Sequence, residues 1–244
     1  MKYILLLMSV AFSFAAAFSQ NNQRSTGFKQ FNFTTELLEG HSYWTGVHQL
    51  FMQGRSYYYA CVTCPSFEPE SCLLIADSTL TLITLDKSFY HYESLMNSDE
   101  DEEDGKPAVD KSKLVMPTAT AKTLIVGNRF VDELCWLIEL GSITADGYKN
   151  ERMLDGSCTY FFAHRGGYRT SQTRAEGKSE NGNEASQLMN LLNKLKDAVA
   201  GNSTFDEENF KKRIHQVFRN IFAHVPTWYT EREFYDIFKD ADKE

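Results

Sequence analysis

Beyond its first nineteen residues the chain lacks any hydrophobic run long enough to cross a membrane. A spanning helix needs about 20 consecutive apolar residues, and the later apolar stretches are shorter. The one long apolar run, at positions 3–18, follows Lys2 and leads to a small-residue cleavage pattern ending at Ser19. This pattern predicts a signal peptide over residues 1–19. We therefore expect an exported, soluble protein that begins at Gln20, is periplasmic or extracellular, and has no integral membrane segment.

Basic residues are too few to balance the acidic ones. The chain has 25 Lys and Arg against 33 Asp and Glu, and loss of Lys2 with the leader changes the formal charge from −8 to −9. An acidic surface repels phosphate backbones, so no nucleic-acid partner is predicted. Hydrophobic residues make up 42% of the chain and aromatic residues 14%, which excludes wholesale disorder and supports a packed core.

Short catalytic motifs are also missing from the chain. It contains no Gly-x-Ser-x-Gly elbow, no His-Glu-x-x-His helix and no phosphate-binding Gly-x-x-x-x-Gly-Lys loop. Six histidines are present, and none lies in a recognisable catalytic setting. These absences favour a protein that works without a cofactor, and they leave its status as an enzyme open.

Cysteine occurs in an odd number, five, so at least one thiol stays outside any intramolecular disulfide. Cys61 and Cys64 have the spacing of a thiol–disulfide redox pair, but prolines follow them where a helix start is required. In an exported chain, Cys64 with Cys72 would close a short loop, and Cys135 with Cys158 would join two predicted strands. The alternative is that Cys135 and Cys158 are small buried side chains.

Two patterns suggest metal ions without meeting the requirements for a site. Zinc held by Cys61, Cys64 and Cys72 would need a fourth ligand, such as His48 or His91, and only one of the usual paired spacings is present. The six carboxylates at 99–104 depart from a calcium-binding loop, which has a glycine at its sixth position and helices on both sides. We predict no metal site, and a solvated loop over the acidic run.

Alternation of apolar and polar residues predicts β-strands between positions 28 and 164. The run at 80–85 is apolar at both parities, which predicts a central strand covered on both faces. Turn-forming dipeptides, Gly127-Asn128, Asp146-Gly147 and Asp155-Gly156, predict an antiparallel meander. The strands are expected at 28–33, 57–63, 80–85, 122–126, 129–140, 148–154 and 157–163.

After position 182 the apolar residues recur every 3.6 residues, which predicts three helices. Their starts are expected at Asn183, at a capping box formed by Thr204 and Glu207, and at Thr230 with Glu233. Their apolar faces need a surface to cover, and the strand region provides one. The sequence therefore predicts an α+β fold in which an antiparallel meander sheet is followed by three C-terminal helices that pack on it.

A polar segment at 165–182, rich in glycine, serine, threonine and arginine, separates strands from helices and predicts a long loop. At its start, four polar or basic side chains form the favoured place for a small anionic ligand. They are His164, Arg165, Tyr168 and Arg169.

These patterns predict a β-rich region at 20–170 and a helical region at 171–244, joined in one compact domain. The function that fits best is a non-enzymatic binding or interaction module for a protein or small-molecule partner. The alternatives are a secreted hydrolase with a site around His91 or His164, and thiol–disulfide exchange through Cys61 and Cys64. A deep pocket with a histidine beside a hydroxyl, thiol or carboxylate would favour the hydrolase, and a shallow aromatic surface would favour binding.

Overall fold

The computed structural model describes residues 28–31, 42–65, 68–98, 110–145, 157–163, 172–176 and 184–223. A π-helical turn, His48–Met52, continues the first helix, and a 3₁₀ turn, Lys111–Lys113, precedes the fifth strand. This part of the chain contains the strands β1 (Phe28–Phe31), β2 (Tyr59–Pro65), β3 (Ser71–Ala76), β4 (Thr79–Leu85), β5 (Ala119–Ile125), β6 (Ser157–Ala163) and β7 (Gln172–Glu176). It also contains the helices α1 (Ser42–Val47), α2 (Phe89–Asn97), α3 (Asn128–Ile143), α4 (Glu184–Ala200) and α5 (Glu207–Phe222).

The strands form one antiparallel sheet in the order β1-β7-β6-β2-β3-β4-β5. Strands β2 to β5 follow one another as a meander. The chain then returns through β6, which pairs with the other side of β2, and β7 and β1 extend the sheet from there. The predicted α+β class with an antiparallel sheet is confirmed.

One face of the sheet is covered by α3, α4 and α5. Directly paired residues of neighbouring strands present a continuous apolar row to these helices: Phe161, Cys61, Leu73 and Leu82. The amphipathic helix α5 packs its apolar side against this core, and Asp206 caps its start by accepting a hydrogen bond from the Asn209 amide at 3.1 Å. The predicted helix is confirmed, and its cap is Asp206 rather than Thr204.

The opposite face of the sheet carries a second core under α1, its π-helical turn and α2. Alternate strand residues, such as Val62, Leu74 and Ile83, point to this side because successive side chains of a strand point to opposite faces. Strand β4 contributes Leu82 to the first core and Ile83 to the second, which confirms that both of its faces are covered. The helices of this second layer were not predicted.

Residues 129–140 are helical, so the strand predicted there and the hairpin turn at Gly127-Asn128 are wrong. Phe130, Val131, Leu134, Leu137 and Ile138 are all buried, and their spacing is that of one helix face rather than of a strand. The long loop predicted at 165–182 is also wrong in part, because residues 172–176 form β7 and pair with both β6 and β1. Residues 172–176 join the sheet through backbone pairing, although their sequence shows no alternation of apolar and polar residues.

The remaining predicted elements divide into confirmed ones and ones outside the described residues. The strands expected at 28–33, 57–63, 122–126 and 157–163 are present, with ends that shift by a few residues, and so is the helix that became α4. The leader at 1–19, the acidic run at 99–104, the strand at 148–154 and the third helix after Thr230 lie outside the described ranges. Within those ranges, no helix has the length and hydrophobicity needed to cross a membrane.

Candidate functional site

The polar cluster predicted to receive a ligand, His164, Arg165, Tyr168 and Arg169, lies outside the described residues. The described part contains other candidate groups, namely cysteines, histidines, buried charges and clefts.

All five cysteines lie within the described part, and all are thiols rather than disulfides. Cys61 and Cys64 both lie in β2, three positions apart, so their side chains point to opposite faces of the sheet. Burial raises the pKa of Cys61 well above its usual range and raises the pKa of Cys64 to about 12. In a thiol–disulfide redox pair the two sulfurs must meet, and the attacking thiol needs a lowered pKa. Cys61 and Cys64 meet neither requirement.

The two disulfide pairings considered from the sequence do not match the strand register. Cys72 lies opposite Val62 rather than opposite Cys64. Cys135 is in α3 rather than in a strand, so the expected join between two strands does not apply to it. Cys158 lies instead directly opposite Cys64, where β6 pairs with β2.

Among the described residues, the histidines and acidic side chains form no cluster of three or more that could hold a metal ion. His91 is exposed on α2, and its backbone amide donates to Ser88 Oγ at the start of that helix. His215 of α5 lies 3.1 Å from Glu133 of α3, which also accepts from Arg129 at 3.0 Å. Glu133 is only 1% exposed, so this contact joins two packed helices.

Five neighbouring strands place a hydroxyl side chain at the same register position on the face that α4 covers. We call these residues the hydroxyl row: Thr120, Thr84, Ser71, Thr63 and Thr159. Two of the pairs are within hydrogen-bond distance, Thr84–Thr120 at 3.0 Å and Thr63–Thr159 at 2.8 Å. The row runs from buried Thr159 to exposed Thr120.

Lys196 of α4 reaches down onto the middle of the hydroxyl row. Its Nζ donates to Thr63 Oγ1 at 2.5 Å and to Ser71 Oγ at 3.2 Å, and the residue is 9% exposed. No salt bridge links it to a carboxylate among the described side chains. Burial lowers the pKa of Lys196, because desolvation penalises the charged form. The sequence signal was a lysine within the apolar stripe of α4, and it was overlooked.

An open aromatic cleft lies where α3 crosses the start of β2. We call it the Trp136 cleft; it has a volume of about 180 Å³ and is lined by Tyr58, Tyr59, Asp132, Cys135 and Trp136. Tyr58 is 45% exposed and Asp132 is exposed, while Tyr59 is buried and forms the floor. The three lining residues from α3 lie on one helix face because their spacing is three to four residues. The strand prediction for this segment concealed that face.

One carboxylate, Asp132, lines the Trp136 cleft, and two more are bonded to its tyrosines. The Tyr58 hydroxyl donates to Asp77 Oδ1 at 2.5 Å, and the Tyr59 hydroxyl donates to Glu139 Oε2. The hydrogen bond to Asp77, with the negative charges of Asp77 and Asp132, raises the pKa of Tyr58. The cleft therefore combines aromatic side chains with one lining carboxylate and two adjacent ones, and this composition favours a cation.

A second open groove, of about 240 Å³, lies between α4 and α5. Its lining is mostly polar and includes two cationic side chains, Lys194 and Arg213. Asn220 and Gln187 are already bonded to each other across it at 2.6 Å. This groove lacks aromatic side chains and is a weaker candidate for ligand binding.

No protein-family model matches the chain, and no similar protein was found among curated proteins or among solved structures.

Proposed function

We propose that this protein is an exported, non-enzymatic binding module whose Trp136 cleft receives a cationic side chain, arginine or lysine, of a partner polypeptide. The observation that carries the proposal is the open aromatic cleft with carboxylates around it. A cation held over an aromatic face is stabilised by the ring, and nearby carboxylates add a favourable charge.

The size of the cleft supports one side chain rather than a whole small molecule. Small-molecule sites usually enclose about 300 to 1,000 Å³, whereas the Trp136 cleft has about 180 Å³. An arginine or lysine side chain that extends from a larger partner needs only such a recess. The rest of the contact would lie on the surrounding surface, where Tyr58 is exposed.

The overall charge supports the same class of partner. A protein of formal charge −8 with its leader, or −9 without it, attracts basic polypeptides over long distances and repels acidic ones. Part of this charge is concentrated around the cleft, in Asp77, Asp132 and Glu139.

The hydrolase alternative has less support. It calls for a histidine beside a nucleophile in a pocket, and the Trp136 cleft has no histidine in its lining. His215, the histidine bonded to a carboxylate, lies between two packed helices. The thiol-exchange alternative requires Cys61 and Cys64 on one side of β2, and they lie on opposite sides.

The proposal is tested by nuclear magnetic resonance of the Trp136 indole N–H, assigned with the variant Trp136→Phe. A blocked triarginine peptide should shift this signal saturably, and a triglutamate peptide should leave it in place. In Asp132→Asn the affinity for triarginine should fall about threefold to tenfold, because one carboxylate at the cleft is lost.

The matched control is Glu208→Gln, which removes an exposed carboxylate from α5, in another part of the fold. It should leave the affinity nearly unchanged. A Trp136 signal that does not move, or equal binding of triarginine and a neutral triglutamine peptide, would show that the cleft does not recognise cations.

A further inference from the structure

We propose that Cys64 and Cys158 form a cross-strand disulfide when the protein is oxidised. This modification site is independent of the Trp136 cleft. It also differs from both pairings that the sequence suggested, because it rests on the register between β2 and β6.

The register places the two residues directly opposite each other. Antiparallel pairing of β2 with β6 aligns Cys64 with Cys158, one position from the Pro65–Ser157 pair at the end of the ladder. Directly opposed residues of antiparallel strands have Cα atoms about 4.5 or 5.5 Å apart. Both distances fall within the range of about 4.4 to 6.8 Å that a disulfide spans.

Both side chains also lie on the same face of the sheet. Cys64 packs against the second core, as does Tyr160, which lies two positions after Cys158 on the same strand. Successive strand residues alternate between faces, so Cys158 shares the face of Tyr160. The two thiols therefore meet on the α1 and α2 side.

The other cysteines are less suitable partners. Cys61 faces the opposite core and is fully buried. Cys72 is fully buried and lies diagonally from Cys64, opposite Val62. Cys135 belongs to α3, on the other side of the sheet. Cys64 is the partly exposed member of the strand cysteines, so an oxidant reaches it first.

The reaction is an exchange with a small-molecule disulfide such as oxidised glutathione. Burial raises the pKa of Cys64, so only a small fraction of this thiol is ionised and the exchange is slow. That thiolate attacks one sulfur of the oxidant, which releases one glutathione thiol and leaves a mixed disulfide on Cys64. The Cys158 thiolate then attacks Cys64 Sγ and releases the second glutathione thiol. The protein loses two electrons and two protons, and the oxidant gains both. The Tyr43 hydroxyl lies 3.3 Å from both Cys64 Sγ and Glu70 Oε1. Its single proton would have to turn from Glu70 to the sulfur to stabilise the first thiolate.

The disulfide would join the β2–β5 meander to the returning β6–β7–β1 part of the sheet. Closing a loop of this length restricts the unfolded chain strongly. For a protein of this size the midpoint of thermal unfolding should rise by about 10 °C on oxidation.

The test uses the mature chain, reduced and then incubated in its native state with oxidised glutathione before the remaining thiols are alkylated. Intact mass should show the loss of two hydrogen atoms and three alkylated cysteines. A non-reducing tryptic digest should link the peptide at 56–87 to the peptide at 153–165. The digest of Cys72→Ser and of Cys135→Ser should show the same link, and that of Cys64→Ser or Cys158→Ser should not.

The peptide at 56–87 contains Cys61, Cys64 and Cys72, so the variant series is needed to identify the sulfur. Persistence of the link in Cys64→Ser would overturn the proposal, and so would a link that disappears in Cys72→Ser. A native chain that gains no disulfide, while the same chain oxidises readily in denaturant, would overturn it as well.

Discussion

At the scale of single residues, Lys196 is the least ordinary feature of the protein. Its ammonium is buried beneath α4 and is held by two hydroxyls rather than by a carboxylate of the described part. Hydroxyl groups supply hydrogen bonds but no opposite charge, so the cost of desolvating the ammonium is only partly offset. Lys196 therefore reduces the stability of the fold wherever the lysine is charged.

We predict that Lys196→Met raises the free energy of unfolding near neutral pH by about 1 kcal/mol. The advantage should shrink as the pH increases. Between the lowered pKa of folded Lys196 and the unfolded value of about 10.4, the unfolded chain binds a proton that the folded chain does not. The wild-type contribution from this group therefore rises with pH in that window, and below the folded pKa the full cost remains.

The measurement is urea unfolding of both proteins over a series of pH values, taken as the difference between them. Cys61, Cys64 and Cys72, whose pKa values are raised by burial, are present in both chains, so their titration largely cancels. Lys194→Met, an exposed substitution on the same helix, should show no such trend. A difference that stays constant with pH would contradict the prediction.

Glu70 is a second buried charged residue, and its carboxylate, unlike the Lys196 ammonium, accepts hydrogen bonds from a helix start. Its carboxylate accepts the backbone amides of Phe89 at 2.7 Å and Tyr90 at 2.8 Å, and the Tyr43 hydroxyl at 3.3 Å. The two amides belong to the first turn of α2, where the helix dipole favours a negative charge. The residue comes from the loop before β3, so it attaches α2 to the sheet.

Glu70→Gln should lower the free energy of unfolding by about 1 to 3 kcal/mol. A glutamine has one acceptor oxygen, so its NH₂ group would face a backbone N–H of α2 and leave it without an acceptor. Chemical denaturation measures the loss. Glu68→Gln, an exposed neighbour in the same loop, is the control and should change stability little. Equal effects of the two substitutions would argue against the role given to Glu70.

At the scale of elements, the contact of α1 with α2 depends on a missing side chain. A Cβ at Gly46 would fall within the ring of Phe89, which is buried and stacked between Tyr43 and Tyr92. Alanine normally favours a helix over glycine by about 1 kcal/mol. The close approach reverses that preference, because the ring is buried and would have to shift against Tyr43 and Tyr92.

We predict that Gly46→Ala lowers the free energy of unfolding by about 1 to 3 kcal/mol. Thermal or urea unfolding measures the loss. The double variant Gly46→Ala with Phe89→Leu should be less destabilised than the sum of the two single changes, because the smaller side chain removes the overlap. Strict additivity would show that the two residues do not interfere.

Most elements with a strong local pattern were predicted well, but α3, which has helical spacing, was predicted as a strand, and the apolar strand β3 was missed. Helices α4 and α5 carry a clear apolar stripe, and β2, β4 and β6 carry alternating or continuous apolar runs. The turn-forming pair Gly127-Asn128 at the start of α3 suggested a hairpin. In the structure it joins β5 to α3, and the Gly127 amide donates to Glu207 Oε2 of α5 at 3.0 Å. A two-residue turn motif is compatible with both, and only packing distinguishes them.

At the scale of the whole molecule, the sheet is covered on two sides by different helices. The α3, α4 and α5 layer buries one face, and the α1 and α2 layer buries the other. This arrangement explains why Cys61 and Cys64, close in sequence, lie in separate cores, whereas Cys64 and Cys158, distant in sequence, lie side by side. The same arrangement brings Lys196 onto hydroxyls from β2 and β3.

The sequence alone determined the α+β class, the position of most strands and the two described C-terminal helices, because periodicity is a local property that burial of one face imposes on each element. The tertiary structure alone decided the strand order, the second helical layer, the Trp136 cleft, the hydroxyl row and the partner of Cys64. Each of these depends on which distant segments of the chain meet. The free energy of such contacts is shared among residues far apart in sequence, and no local pattern shows which of them will pair.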